Sequence, residues 1–196
     1  MPKKPIFTKE HIYKTAFELF KKEGLESISA RNLAKKLKSS PAPIYSYYAT
    51  IDDLKIELLD NAKKLFLEYI KQEPTDLIFL NIGFGICSFA RDEKELFQTI
   101  FLKQSLCKKN KLIREFRDLI REEMTEDHRF DIMDEKEKMD LYLDAWTYGH
   151  GLATLIATNY FEEISDEEIR ERLLAGAGTI IHKRLEDIQN RKTVEG

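Results

Sequence analysis

Hydrophobic positions recur at helical spacing along most of the chain. Ile12, Ala16, Leu19 and Phe20 fall at i, i+4, i+7 and i+8, with Thr8 as a start signal and Gly24 as a stop, so a first helix is expected there. Leu33, Ala34 and Leu37 form the stripe of a second helix, roughly 30–37, capped by Ser29. A polar turn of Lys38, Ser39 and Ser40 precedes a third, very short helix, roughly 41–48. Ser40 has N-cap chemistry, Pro41 sits where a missing N–H costs nothing, and Pro43 is still in the first turn. Ile44 and Tyr48 lie four apart and point to a core. The opposite face, Pro41, Ala42, Tyr45 and Ser46, is small and polar and carries no acid, which suits a DNA major groove.

Longer helices follow. Thr50 and Asp53 have capping-box spacing and open a fourth helix to about 72, with Leu54, Leu58, Ala62, Leu65, Phe66 and Tyr69 on one face. After a break at Glu73-Pro74-Thr75-Asp76, the apolar run 76–91 predicts a buried helix in which Gly83 and Gly85 permit close contact. Asp92 is the expected cap of a helix to about 102. Residues 105–110 are expected to turn, and Asn110 to cap a helix to about 124; 125–133 is expected to be loop with one helical turn. Asp134 with Glu137 opens the longest body helix, to about 160, and Ser165 with Glu168 opens the last, to about 190.

The stretch Ala145–Phe161 has no Asp, Glu, Lys or Arg. It is short of the ~20 apolar residues of a membrane span and contains Thr147, His150, Thr154 and Asn159, so it reads as a helix packed on most sides. The last helix carries two apolar seams, one through Ile169, Leu173, Gly176 and Ile180 and one through Leu174, Ala177, Ile181, Leu185 and Ile188. Two seams suggest two partners, one in the same chain and one in a second copy. The expected dimer is a four-helix bundle of the last two helices of each protomer, using Leu152, Ile156, Leu173, Gly176, Ala177, Ile180 and Ile181. The alternative is a monomer with a fully internal core. The fold expected is all-α, with about nine helices: a three-helix head over 1–50 and a larger helical body over 51–196.

Composition adds little until charge is divided along the chain. Apolar residues at 42% and charged residues at 34% suit a folded helical protein with a charged surface. Two cysteines, Cys87 and Cys107, make no disulfide scaffold, and MPKKPIF has no apolar run of signal-peptide length, so a cytoplasmic protein is expected. The net charge is −3, yet residues 1–50 hold ten Lys/Arg against four acids, a surplus of six, which leaves the rest nine negative. A basic head on an acidic body directs the head towards phosphate.

The run ISARNLAKKLKSSPAPIYSYYATIDDLK, Ile28–Lys55, resembles the helix-turn-helix of the TetR family of bacterial transcriptional regulators. The resemblance covers roughly residues 8–60; beyond them it is one of layout. Ile44-Tyr45-Ser46-Tyr47-Tyr48 stands for the family's Leu-Tyr-x-x-Phe element. Lys38 occupies the usual turn glycine, so either it takes a left-handed conformation or the turn differs. Ile51 replaces the lysine that opens the long helix, with Lys55 one turn on as a substitute phosphate contact. The resemblance implies a homodimer on a double-stranded DNA operator. It places Ser29 and Arg31 on phosphate or a base edge, and Lys38, Ser39 and Ser40 on phosphate through hydroxyls and backbone N–H groups. Ala42 and Pro43 would make apolar contacts, Tyr45 and Tyr47 would hold phosphates through their hydroxyls, and Ser46 would face base edges. Arg31, the head's only guanidinium, would read a guanine, pair with Glu26, or contact phosphate alone.

Trp146-Thr147-Tyr148-Gly149-His150-Gly151 resembles a Trp-x-x-x-His-Gly signature of one class of TetR C-terminal domains. It implies a small-molecule effector in a pocket of Phe84, Phe101, Phe116, Tyr142, Trp146 and His150, with Phe89 as a further aromatic. The same residues also read as plain core packing. The function implied is a ligand-responsive regulator, a repressor released by an apolar effector. Two other classes compete: a helical interaction module that binds no DNA specifically, and a helical-bundle enzyme. For the enzyme, a di-iron bundle needs Glu-x-x-His, and the residues three before His11, His128, His150 and His182 are all Thr. HExxH, CxxC and a phosphate-binding glycine loop are also missing, so neither enzyme nor cofactor is expected.

Overall fold

A computed structural model of the chain describes residues 7–72, 75–103 and 111–195, and every regular element among the described residues is helical. The helices are α1 (Lys9–Glu23), α2 (Ala30–Lys36), α3 (Ala42–Tyr45), α4 (Ile51–Ile70), α5 (Ile78–Asp92), α6 (Lys94–Phe97), α7 (Lys111–Glu126), α8 (Glu135–Ala157), α9 (Asp166–Leu173) and α10 (Thr179–Glu195). A π-helical turn, Leu174–Gly178, joins α9 to α10 in one rod, which brings the described elements to the nine rods expected. A second π turn, Gln98–Leu102, extends α6, and short 3₁₀ turns lie at Leu25–Ser27 and His128–Phe130. No helix among the described residues is long and apolar enough to cross a membrane. Cys107, the expected turn at 105–110, its cap Asn110 and the break at 73–74 lie outside the described residues.

The start signals act where local chemistry is complete. Thr8 Oγ1 accepts from the His11 N–H at 3.1 Å, and Ser29 Oγ from Asn32 N–H at 3.2 Å. All three capping boxes close reciprocally: Thr50 with Asp53, Asp134 with Glu137, and Ser165 with Glu168. Two start signals fail. Ser40 does not cap α3; Pro41 takes the N-cap place with no side-chain hydrogen bond, and α3 is one turn long. Asp92 does not cap α6 but ends α5, where its carboxylate is held by Arg91 at 2.7 Å; Glu93 precedes α6 instead.

The chain divides into two compact units, Met1–Leu65 with Glu93–Cys107 and Phe66–Asp92 with Lys108–Gly196. The boundary thus falls within α4, and α6 belongs with the head, which the sequence division at residue 50 did not anticipate. The reason is specific. Glu93, nearly buried, pairs with Lys21 of α1 at 2.6 Å, and Gly24 closes α1 so tightly that a Cβ there would meet the Glu95 carboxylate at 2.8 Å. The core of this unit is Ile12, Ala16, Phe20, Leu33, Ile44, Leu54 and Leu58, all fully buried. In the second unit α5 packs along α8, with Gly149 bringing the two backbones to close approach at Gly83. Phe66, Phe89, Phe116 and Trp146 form a continuous ring cluster, with centroids 4.9–5.6 Å apart along Phe89–Phe66–Phe116–Trp146.

Candidate nucleic-acid interface

The turn between α2 and α3 is built by one left-handed residue. Leu37 ends α2, Lys38 follows at φ +51°, and Ser39 N–H reaches back to the Ala34 carbonyl at 2.9 Å while Lys38 N–H reaches Lys35 at 3.2 Å. This is a Schellman closure, in which a glycine is the usual left-handed residue. The turn therefore keeps its geometry with lysine in the glycine position. The closure also consumes the N–H groups of Lys38 and Ser39, so of the three backbone donors the resemblance offered to phosphate only that of Ser40 makes no hydrogen bond among the described residues.

Left-handed backbone costs a β-carbon residue about 1–2 kcal/mol, partly offset by the greater chain entropy glycine must lose, roughly 0.5–1 kcal/mol. Lys38→Gly is expected to stabilise the chain by up to about 1 kcal/mol. The same substitution removes one cation, so thermal melts should rise while the salt dependence of DNA binding becomes shallower by about one phosphate contact.

The face this turn presents is open and basic. Ile44 is fully buried and Tyr48 nearly so, as their spacing required, and they anchor α3. Ala42, Tyr45 and Ser46 are exposed, and Pro43 is half-buried. Among the described residues, no carboxylate pairs with Arg31, Lys35, Lys38 or Lys55, whereas Lys9, Lys14, Lys21 and Lys36 are engaged by Glu57, Glu10, Glu93 and Glu23. The Arg31–Glu26 pair that the sequence left open does not form. Four cations on α2, the turn and the start of α4 are thus without an ion pair, while Lys36 of α2 and Lys9, over the Tyr48 ring at 5.1 Å, are paired.

Hydroxyls divide in the same way. Tyr45 is half exposed, at 51%, and its phenol is directed to no protein group. Tyr47 is different: its hydroxyl donates to the Phe7 carbonyl at 3.0 Å, so its one proton ties the end of α3 to the start of α1 and is not available to a phosphate. Ser46 Oγ donates to the Ala42 carbonyl at 3.2 Å and Ser39 Oγ to the Ser40 carbonyl at 2.9 Å, while Ser29 accepts from its helix and keeps its own proton. Behind this face, burial and then the Glu57 carboxylate push the Tyr13 phenol up to about 12 and the Tyr48 phenol higher still, so both stay protonated.

The six aromatic and histidine positions assigned to an effector pocket are not all brought together among the described residues. Phe101 belongs to the first unit, against Phe97. Phe84 is buried under the Arg170 guanidinium at 4.3 Å, and Phe116 stacks into the ring cluster. Tyr142 and Trp146 border a void of about 20 Å³, room for a single water, and Tyr142 borders a second of the same size. His150 lies parallel to Trp146 at 5.1 Å. Burial holds His150 below its ordinary value of 6.5. The unfolded chain therefore takes up this proton first as pH falls, and the folded state loses stability from about pH 6.5 downward. His150→Phe keeps the ring stack and is expected to flatten that limb of the stability–pH curve in urea titrations.

Several residues assigned to a dimer seam turn inward. Leu152, Ile156, Leu173 and Ala177 are buried within the protomer, and Ile180 and Ile181 are half-buried. Gly176 faces its own chain: a Cβ there would fall 1.8 Å from the Tyr148 ring, whose hydroxyl donates to the Arg172 carbonyl at 2.9 Å. The uncovered ridge is one step round α8, at Leu143, Thr147, Gly151 and Leu155, spaced by four, with Leu143 57% and Leu155 41% exposed and nothing within 4 Å of a Cβ built on Gly151. No group of His, Cys, Asp and Glu among the described residues could hold a metal ion. No protein-family model matches the chain, and no curated protein matches it.

Proposed function

We propose that the chain is a DNA-binding transcriptional regulator of the TetR kind, a repressor that binds a palindromic operator as a homodimer and is released by a small apolar effector. The observation that carries this reading is the α2–turn–α3 face. A four-residue helix, seated by Ile44 and Tyr48, exposes Ala42, Tyr45 and Ser46 without an acid and is flanked by Arg31, Lys35, Lys38 and Lys55 without ion-pair partners. A helix that small fits a major groove only if its neighbours hold phosphate, and unpaired cations are the groups that do so. An acid-free, exposed face on a proline-started helix favours this reading over a helical interaction module.

Two protomers would present two α3 helices to half-sites about 34–36 Å apart or a multiple of it. Footprinting on a selected binding sequence tests this: two protected half-sites related by a two-fold support the reading, and one asymmetric footprint defeats it. The second copy would be met by the ridge of α8. Gly151→Leu finds open space in the protomer, so it should not lower monomer stability and should shift sedimentation from dimer to monomer. An unaltered dimer would remove α8 from the interface. Effector release needs a ligand that prefers the DNA-incompetent state, tenfold preference corresponding to about 1.4 kcal/mol.

A further inference from the structure

A recess of the second unit lies away from the aromatic run of α8. A groove of about 550 Å³ opens between the start of α5, the 3₁₀ turn at His128–Phe130, and the π turn with the first half of α10. Its walls include Leu77, Phe79, Phe130, Leu174, Gly178 and Ile181. That volume lies within the range of small-molecule sites, about 300–1,000 Å³. Leu77 and Leu174 are 43% and 48% exposed, so the groove leaves hydrocarbon to water that an occupant would cover.

The polar groups on the rim define the occupant's charge. Arg129 is the guanidinium among the lining residues, and its charge is paired. Its Nε meets both Asp127 oxygens, at 2.9 and 3.0 Å, and its terminal nitrogen donates to the same carboxylate and to the Asp76 carbonyl. The pairing with Arg129 holds the Asp127 carboxyl below the usual carboxylate range. The Thr179 hydroxyl donates to the Ala175 carbonyl at 2.8 Å. An anionic head would find no uncompensated cation on Arg129, and a cation would find no carboxylate among the lining residues; the exposed His182 imidazole offers a hydrogen bond.

Size argues against a protein segment. A helix with its side chains is about 10 Å across, and a volume of this order would take in only about 7 Å of its length, under two turns. We propose that this groove binds a neutral, largely apolar small molecule, lying against α5 and α10 with the π turn as its floor. Its role as the effector site rests on the regulator reading; the chemistry of the ligand does not.

Gly178 supplies the test. A Cβ built there meets nothing closer than 3.7 Å, so a larger side chain can enter the groove without moving the backbone. The full chain, without DNA, is titrated with N-phenyl-1-naphthylamine, an uncharged dye that brightens in apolar surroundings. Saturable binding of one dye per chain is expected, displaced by 1-decanol more readily than by decanoate. Gly178→Leu should weaken it at least tenfold with a melt no lower than wild type, and Leu174→Asn, on an exposed position, should weaken it several-fold should the glycine variant fail to fold. Absence of saturable binding, equal binding by the folded variants, or preferential displacement by decanoate would overturn the proposal. So would dye release as the chain self-associates, which would make the groove a contact between copies. Loss of DNA binding with dye binding intact would strike the regulator reading alone, and the reverse would strike this site alone.

Discussion

Gly85→Ala is expected to destabilise the second unit by about 3 kcal/mol or more, lowering its melting temperature by roughly 6–12 °C. A Cβ at this position would stand 2.6 Å from the Tyr69 carbonyl oxygen and 2.7 Å from the Ile70 Cα. Both are backbone, so no side chain can swing away, and α5 must separate from the end of α4. The separation would also loosen Phe66 against Phe89, now 5.3 Å apart, and Tyr69 against Phe89 at 5.4 Å. Gly178→Ala is the control, since its Cβ meets only ordinary van der Waals distances and alanine is the better helix former. Thermal or urea melts of the two variants should move apart. A Gly85→Ala melt equal to wild type would mean that the α4–α5 crossing is wider than described.

The second large effect concerns DNA. Arg31→Ala is expected to weaken operator binding by about 1–3 kcal/mol, roughly 5- to 150-fold, and to relax sequence preference at one position of each half-site if it reads guanine. Tyr45→Phe removes a hydroxyl that has no protein partner and should weaken all DNA alike, by about 1.5–3 kcal/mol for a hydrogen bond to a charged phosphate. Tyr47→Phe should behave differently from its neighbour. Its proton already belongs to the Phe7 carbonyl, so its loss should appear mainly in thermal stability, by about 1 kcal/mol. Binding isotherms on specific and random duplexes, beside melts, separate the three. Equal losses of affinity at Tyr45 and Tyr47 would contradict the division.

What could be read from the sequence was what is decided within a few residues. The capping boxes at Thr50, Asp134 and Ser165, the cap at Thr8 and the burial of Ile44 and Tyr48 follow from spacing and side-chain chemistry alone. The left-handed conformation was one of two outcomes open at Lys38, because a lysine in a glycine position states a conflict without resolving it. What depends on distant residues was not legible. That Glu93 would be buried on Lys21, which ties α6 to α1, needs a contact across more than seventy positions. That Gly176 makes room for the Tyr148 ring depends on the crossing of α8 over the π turn. The groove was invisible for the same reason: Leu77–Leu80 and the stretch from Leu173 to Leu185 are about a hundred residues apart. The Trp146–His150 run drew attention by composition; its rings stack on one another and on Phe116, and Trp146 and His150 are half-buried.

The central claim is that the α3 face binds a specific duplex. The measurement is fluorescence anisotropy of the purified full chain on DNA from upstream of its own gene, across a salt series and with random DNA as competitor. The account predicts tight binding that survives competitor and maps to a palindrome. Binding that is weak, collapses with salt and ignores sequence would contradict it, since a basic surface alone attracts phosphate in that manner.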